Sequence, residues 1–271
     1  MTEEALRRSL ADWIMEAALN GADMKALIDG ASSRLLASGV PVTRSNIIYR
    51  TLHPLFEATS LLWQQDGQVQ VREFVHGSTL RTSWPQSPFA FLLDRNLPLL
   101  RRRLTGPEAN LDFPVLHELV GEGLTDYLVL SIPFDSSKIH MLGAWHDGIL
   151  VSFATDRVGG FTNEHLRTLQ QVSPRLGVGC KLAIREQIAG NVARTYLGTT
   201  AGEQVLGGHI KLGDYETINA VVWFADLRDS TGRSERLGME RYLALLNGFM
   251  ECAAGAVQAN MGEILAYPGD S

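Results

Sequence analysis

The sequence predicts an α+β protein: an antiparallel sheet flanked by helices, followed by a second, shorter sheet-and-helix unit. Three observations carry that expectation. Apolar residues recur at helical spacing at the N-terminus, an Asp-Gly pair sits between two extended segments, and three strand-like runs lead into a long helical pattern. The chain has 271 residues, more than one typical domain needs, so two units are expected.

Leu6, Leu10, Trp13, Ile14 and Ala17 place one apolar stripe on a helix over residues 3–19, which Gly21 ends. A second helix is expected from Asp23 to Ser38, closing at "SGVP". "EATSLLWQQDGQVQVREFVHG" predicts a hairpin turning at Asp66-Gly67. Its second arm sets Val69, Val71 and Glu73 on one face and Gln70, Arg72 and Phe74 on the other. Residues 78–110 hold Pro85, Pro88, Pro98 and Pro107, which predict loops and a short helix, with Arg101-Arg102-Arg103 on a solvated helix face. "DYLVLSIPF", "KIHMLGAWH" and "GILVSFAT" predict three more strands. The helical pattern that follows has Thr162 or Asn163 as its N-cap and Leu166, Leu169, Val172 and Leu176 on one side, with a kink or a new turn expected at Pro174. Residues 186–214 then connect the halves, breaking at Gly198 and at Gly207-Gly208.

Composition narrows the function classes. A hydrophobic content of 45% supports a sizeable core, and a net charge of −6 offers no basic footprint for nucleic acid or anionic lipid. Cys180 and Cys252 form neither a disulfide framework nor a metal-ligand spacing. The N-terminus has no signal-peptide pattern, and no apolar run approaches the roughly 18 residues of a membrane span, so a cytoplasmic location is expected. The histidines form no HxxxH or HxH pair, and no Walker loop or Gly-x-Gly-x-x-Gly occurs. The tryptophans are most simply core residues, although Trp63 and Trp145 fall on strands that can line a pocket.

Over about residues 20–185 the order helix, hairpin, loops, three strands, long helix resembles a GAF-type sensory domain. The "IPF" strand, the "GAW" strand and "SFATDRVGGFTNEHLRTLQQVSPRL" carry the resemblance. It implies an antiparallel sheet flanked by helices, with a pocket that either takes a small molecule or serves dimerisation, in a domain spanning residues 1–185 with its N-terminal helix. The sequence shows neither the bilin-holding cysteine of phytochrome-type relatives nor the NKFDE-like motif of cyclic-nucleotide-binding relatives.

The second unit, residues 215–271, opens on "INAVVWFADLRDST". Ala220 to Ala225 predict a buried strand that ends at Asp226. "GRSERLGMERYLALLNGFMECAAGAVQANMG" is expected to be helical, with Leu237, Tyr242, Leu245, Leu246, Phe249 and Met250 on its core face. Thr231 can serve as N-cap of the helix from Gly232. "GEILAYPGDS" predicts a second strand that delivers Asp270. Two carboxylates at neighbouring strand ends suit a pair of Mg²⁺ or Mn²⁺ ions, which neutralise a nucleoside triphosphate and activate an attacking hydroxyl.

"WFADLRDST…GEILAYPGDS" resembles the first half of a class III adenylate/guanylate cyclase catalytic domain, a ferredoxin-like fold. Asp226 matches the first metal-binding aspartate and Asp270, 44 residues on, the second. Leu227 matches the residue whose carbonyl touches metal, and Arg228, Asp229, Ser230 and Thr231 match the phosphate-facing turn. The resemblance implies conversion of ATP or GTP to a 3′,5′-cyclic nucleotide and pyrophosphate, with two ions per site and a homodimer, regulated by the preceding sensor. Two departures stand against it. The family has Gly-Phe where this chain has Asp229-Ser230, and a base-reading lysine where it has Ala266. The family's later strands have no counterpart before Ser271, so a fragment is expected. The alternative is a GAF-type sensor or dimerisation module joined to an inactive cyclase half. A surface pairing of Arg228 with Glu235 or Asp229 explains that arginine equally well.

Overall fold

The computed structural model describes residues 3–52, 56–65, 67–76, 83–134, 147–211, 219, 221–262 and 264. The chain divides into two compact units, Met1–Ile188 and Ala189–Ser271.

The first unit opens with α1 (Glu3–Leu19) and α2 (Met24–Ala37), as the apolar spacing requires. The Asp23 carboxylate caps α2 by accepting from the Ala26 amide at 2.7 Å. Gly30 has no side chain to keep the Trp13 indole off α2, so the indole lies where a Cβ would stand, and the Arg34 guanidinium lies over the ring at 4.0 Å. Six strands follow: β1 (Arg44–Arg50), β2 (Phe56–Gln64), β3 (Gln70–Val75), β4 (Leu99–Arg103), β5 (Asp126–Pro133) and β6 (Gly148–Thr155). Between β3 and β4 lie a short 3-10 helix, Trp84–Gln86, and α3 (Pro88–Asp94); α4 (Pro114–Gly121) precedes β5. The strands form one antiparallel sheet in the order β3-β2-β1-β6-β5-β4.

Each face of the sheet has its own core. On one face Ile47, Tyr49, Leu61, Trp63, Leu128, Val151 and Phe153 pack against α1, α2 and the long helix α5 (Asn163–Leu197). On the other, Ile48, Leu100, Tyr127, Val129, Leu150 and Ala154 meet Leu92 of α3 and Leu116 and Leu119 of α4. Polar bonds tie the helices to the sheet: Ser32 to Ser45 at 2.6 Å, Trp63 Nε1 to Asp29 at 2.9 Å, and Tyr49 OH to Gln187 at 3.1 Å.

Several expectations are corrected. Arg101-Arg102-Arg103 lies on β4, and Arg101 enters a buried ion pair instead of facing solvent from a helix. The central strand β1 has no counterpart among the expected strands. In β3 the alternating pattern does not become alternating burial: only Val69, just before the strand, is buried, because β3 is the sheet edge and is left open. Helix α5 runs unbroken through Pro174, whose missing donor falls on the exposed side, while Ser173 Oγ donates to the Leu169 carbonyl at 2.6 Å. The strand expected over residues 138–146, with His140 and Trp145, lies outside the described residues.

In the second unit, α6 (Thr199–Leu206) follows Gly198, and α7 (Ser230–Leu237) and α8 (Met239–Ala259) follow the Asp226 motif. On α8 the expected core face is the sheltered one, with Tyr242 buried and Leu245, Leu246, Phe249 and Met250 half-buried. The expected buried strand does not form: residues 221–227 carry no strand pairing, and Val221 and Phe224 are 96% and 85% exposed. A strand draws its hydrogen bonds from a neighbour, and no described strand lies beside this run.

Candidate functional site

Strand alternation gives the α3/α4 face of the sheet an unusual row of polar side chains. Arg72 on β3 pairs with Ser60 on β2; Asn46 on β1 pairs with Ser152 on β6, which neighbours Val129 of β5. Ser60 Oγ donates to Asn46 Oδ1 at 2.7 Å, and Ser152 is hydrogen-bonded to the Tyr127 hydroxyl. Burial pushes the Tyr127 phenol up to about 12, partly offset by the Ser152 bond and the Arg44 charge. One half of this face, over β4, β5 and β6, is sealed by α3 and α4. The other half, over β1, β2 and β3, leaves Asn46, Ser60, Leu62 and Gln64 half-buried and Gln70 and Arg72 exposed. Arg44 at its margin is held by Glu122 at 2.7 Å, and Arg72 lies over the Phe74 ring at 5.1 Å. A half-open floor with the Asn46 amide and the Arg72 guanidinium as its donors suits a small molecule rich in carboxylate, phosphate or carbonyl acceptors.

Where β5 begins, Asp126 is fully buried and saturated with donors. Arg101 reaches it through Nε at 3.1 Å and Nη2 at 2.5 Å, and the amides of Phe161 and Tyr127 donate at 2.9 and 3.1 Å. Arg101 Nη2 also donates to the Phe161 carbonyl at 2.7 Å, so this ion pair holds both backbone groups of the residue before the α5 cap. Arg103 completes the cluster by bonding Asp126 at 3.4 Å and the Gly159 carbonyl. Gly160 makes the approach possible: its φ of +66° is left-handed, and a Cβ there would stand 2.5 Å from the Asp126 carboxylate. This cluster is structural, with its hydrogen-bonding capacity used internally. A groove of ≈ 440 Å³ between α2 and the β2–β3 turn is lined by Asp23 and Asp29, which are likewise engaged, by Ala26 and Trp63.

The residues of the second motif are placed as follows. Asp226 is exposed and Leu227 half-buried; Arg228 and Asp229 form an exposed turn. Asp229, at φ +59°, is the residue before α7, so Thr231 falls inside the helix instead of capping it. Arg236 pairs with Asp229 at 2.5 Å and holds its carboxyl below the usual carboxylate range. For Arg228 the expected surface partner is Glu235 or Asp229; Asp229 is taken instead by Arg236, seven residues or about two helical turns on. Ser230 is the half-buried first residue of α7. Ala266 and Asp270 lie outside the described residues. Among the described residues Asp226 supplies one hard oxygen donor, with the Leu227 carbonyl next to it; that fits a divalent ion only with a further carboxylate.

Sequence reasoning missed the polar row. Its signal was present in "RSNIIYR", where half-buried Arg44 and Asn46 alternate with buried Ser45 and Ile47, but without β1 the row has no centre.

No family model matches the chain, and no curated protein matches it. Solved structures give partial likenesses. The GAF domain of a two-component sensor histidine kinase from Bacillus halodurans is 16% identical, with a TM-score of 0.40 over 61% of this chain and 98% of that one. The chromophore-binding domain of a bacteriophytochrome from R. palustris is 11% identical, with a TM-score of 0.40, and the match spans 66% of this chain and 62% of that one. A phycoerythrobilin-bound GAF domain from a cyanobacterial phytochrome is 13% identical, with a TM-score of 0.38 over 69% of this chain and 97% of that one. The architecture itself, a six-stranded antiparallel sheet with helices on both faces, is α+β and consistent with a GAF-like fold. No described helix is long and apolar enough to cross a membrane.

Proposed function

We propose that the first unit is a GAF-type sensory domain that binds a small anionic or carbonyl-bearing molecule on the open half of the polar sheet face. The polar row Arg72, Ser60, Asn46, Ser152 and Tyr127 carries this reading, because it runs from the open half of the face to the half that α3 and α4 cover, where a sheet face is otherwise apolar. In it Arg72 supplies charge, Asn46 and Ser60 fix orientation, and Leu62 and Phe74 give apolar contact. The test is a thermal-shift series on the full chain with small carboxylates, cyclic nucleotides and biliverdin. A ligand that raises the melting temperature in the native chain, and fails to in Asn46→Ala and Arg72→Ala, supports the proposal. No shift from any of them, or one that both variants retain, defeats it.

A second reading is carried by "WFADLRDST…GEILAYPGDS": the second unit is half of a nucleotidyl cyclase site, acting on ATP or GTP as a homodimer. In it Asp226 and Asp270 hold Mg²⁺ or Mn²⁺, which supply charge neutralisation and hydroxyl activation. The Leu227 carbonyl adds a donor, residues 228–231 face the phosphates, and Ala266 leaves the base unread. Manganese-dependent pyrophosphate release that Asp226→Ala abolishes supports it. Absence of turnover with both nucleotides leaves the sensor reading alone.

A further inference from the structure

The helix that leaves the sheet starts on a hydrogen-bonded ring that contains an imidazole. Thr162 precedes α5, and His165 follows three residues on, in its first turn. The His165 amide donates to Thr162 Oγ1 at 3.2 Å, and the Thr162 amide donates to His165 Nδ1 at 3.3 Å. This is the reciprocal capping arrangement, with an imidazole nitrogen where a glutamate or glutamine oxygen ordinarily accepts. Accepting at Nδ1 requires that nitrogen to be bare, so the ring is neutral and carries its proton on Nε2. A ring protonated at both nitrogens has no acceptor left. Its Nδ1–H then meets the Thr162 N–H, and its positive charge stands at the positive end of the helix dipole.

Among the described residues, the charged groups about this turn are Arg101 and Arg103 of β4, Asp126 of β5, Asp156 and Arg157 of the loop after β6, and Glu164 and Arg167 of α5 itself. Arg101 holds Asp126 and the Phe161 carbonyl, Arg103 holds Asp126 and the Gly159 carbonyl, and Arg157 holds the Gly160 carbonyl at 2.8 Å. Those bonds end at Phe161; the bond to the imidazole begins one residue later. The buried Phe161 ring stands at 89° to the His165 ring, with centroids 6.4 Å apart, and braces one side of it. His165 is otherwise half-buried, within reach of protons from solvent.

We propose that His165 makes the first turn of α5 proton-sensitive: the turn is capped while the imidazole is neutral and frays when solvent supplies the second ring proton, with Phe161 held in place throughout. The cap is complete on the alkaline side and is lost as pH falls through the ordinary histidine range, about 7.5 to 5.5. The device is independent of what the sheet binds and of any chemistry at Asp226. Amide exchange of the full chain tests it, read in peptides covering residues 160–168 at about pH 8 and about pH 5.5 and corrected for the intrinsic rate at each pH. The expected result is protection that drops about fivefold at the lower pH, the size of one lost cap. His165→Gln supplies an acceptor that does not titrate and keeps the high protection at both pH values. His165→Ala shows the low protection at both. The first turn of α2, capped by Asp23, is the internal control and does not change. Equal protection of residues 160–168 at the two pH values in the native chain overturns the proposal. So does a drop that His165→Gln shares.

Discussion

Asp126 shows what a buried charge requires. Its carboxylate has left water entirely and is compensated by Arg101, Arg103 and two backbone amides. Removing the acid strands two arginines and the Phe161 amide, so Asp126→Ala should cost about 3–5 kcal/mol, measured by urea unfolding. Asp126→Asn keeps an acceptor and should cost less. Tyr127 makes the complementary point. Burial is the main cause that raises its phenol to about 12 from an ordinary 10.0, and the same holds for Tyr49. A folded-state value above the unfolded one gives stability that is complete below pH 10 and is lost as pH climbs to about 12. Tyr127→Phe should therefore make the alkaline loss of stability shallower, by about 1.4 kcal/mol per pH unit. Unfolding free energies between neutral pH and pH 12 check this; an unchanged slope refutes it.

Among the elements, those with a periodic pattern and clear ends were legible in the sequence. Helices α1 and α2, the hairpin of β2 and β3, β5, β6 and the start of α5 all stand where spacing and caps put them. Thr162 confirms its expected role: its Oγ1 accepts from the His165 amide at 3.2 Å, while its own amide donates to His165 Nδ1 at 3.3 Å. Thr162→Ala should cost about 1 kcal/mol in urea unfolding. What the sequence hid were elements whose identity depends on distant partners. "RSNIIYR" is short and polar at both ends, and it is a strand because β2 and β6 flank it. "LLRRR" looks like a charged surface until Asp126, 25 residues away, supplies the counter-charge. The opposite error, at Val221 to Phe224, has the same origin, since apolar β-formers do not make a strand without a neighbour.

For the molecule as a whole, the sheet with helices on both faces was legible as a class, but the polar face was not, because the row depends on register across five strands. The run Val221 to Phe224 sets a whole-molecule property: it places a tryptophan at the surface, with Trp223 60% exposed while Trp63 is 4% exposed. Trp223→Phe should remove an iodide-quenchable part of the native fluorescence and leave the protected part, from buried Trp63, in place. The clamp on Phe161 has a mechanical consequence. An ion pair between adjacent strands grips the peptide at the foot of a 35-residue helix, a rod about 50 Å long. Tilting such a rod by a single degree at its base sweeps the far tip through roughly an ångström. A slight shear of β4 along β5 thus leaves the sheet as a larger excursion at Ile188, where the helix leaves the first unit.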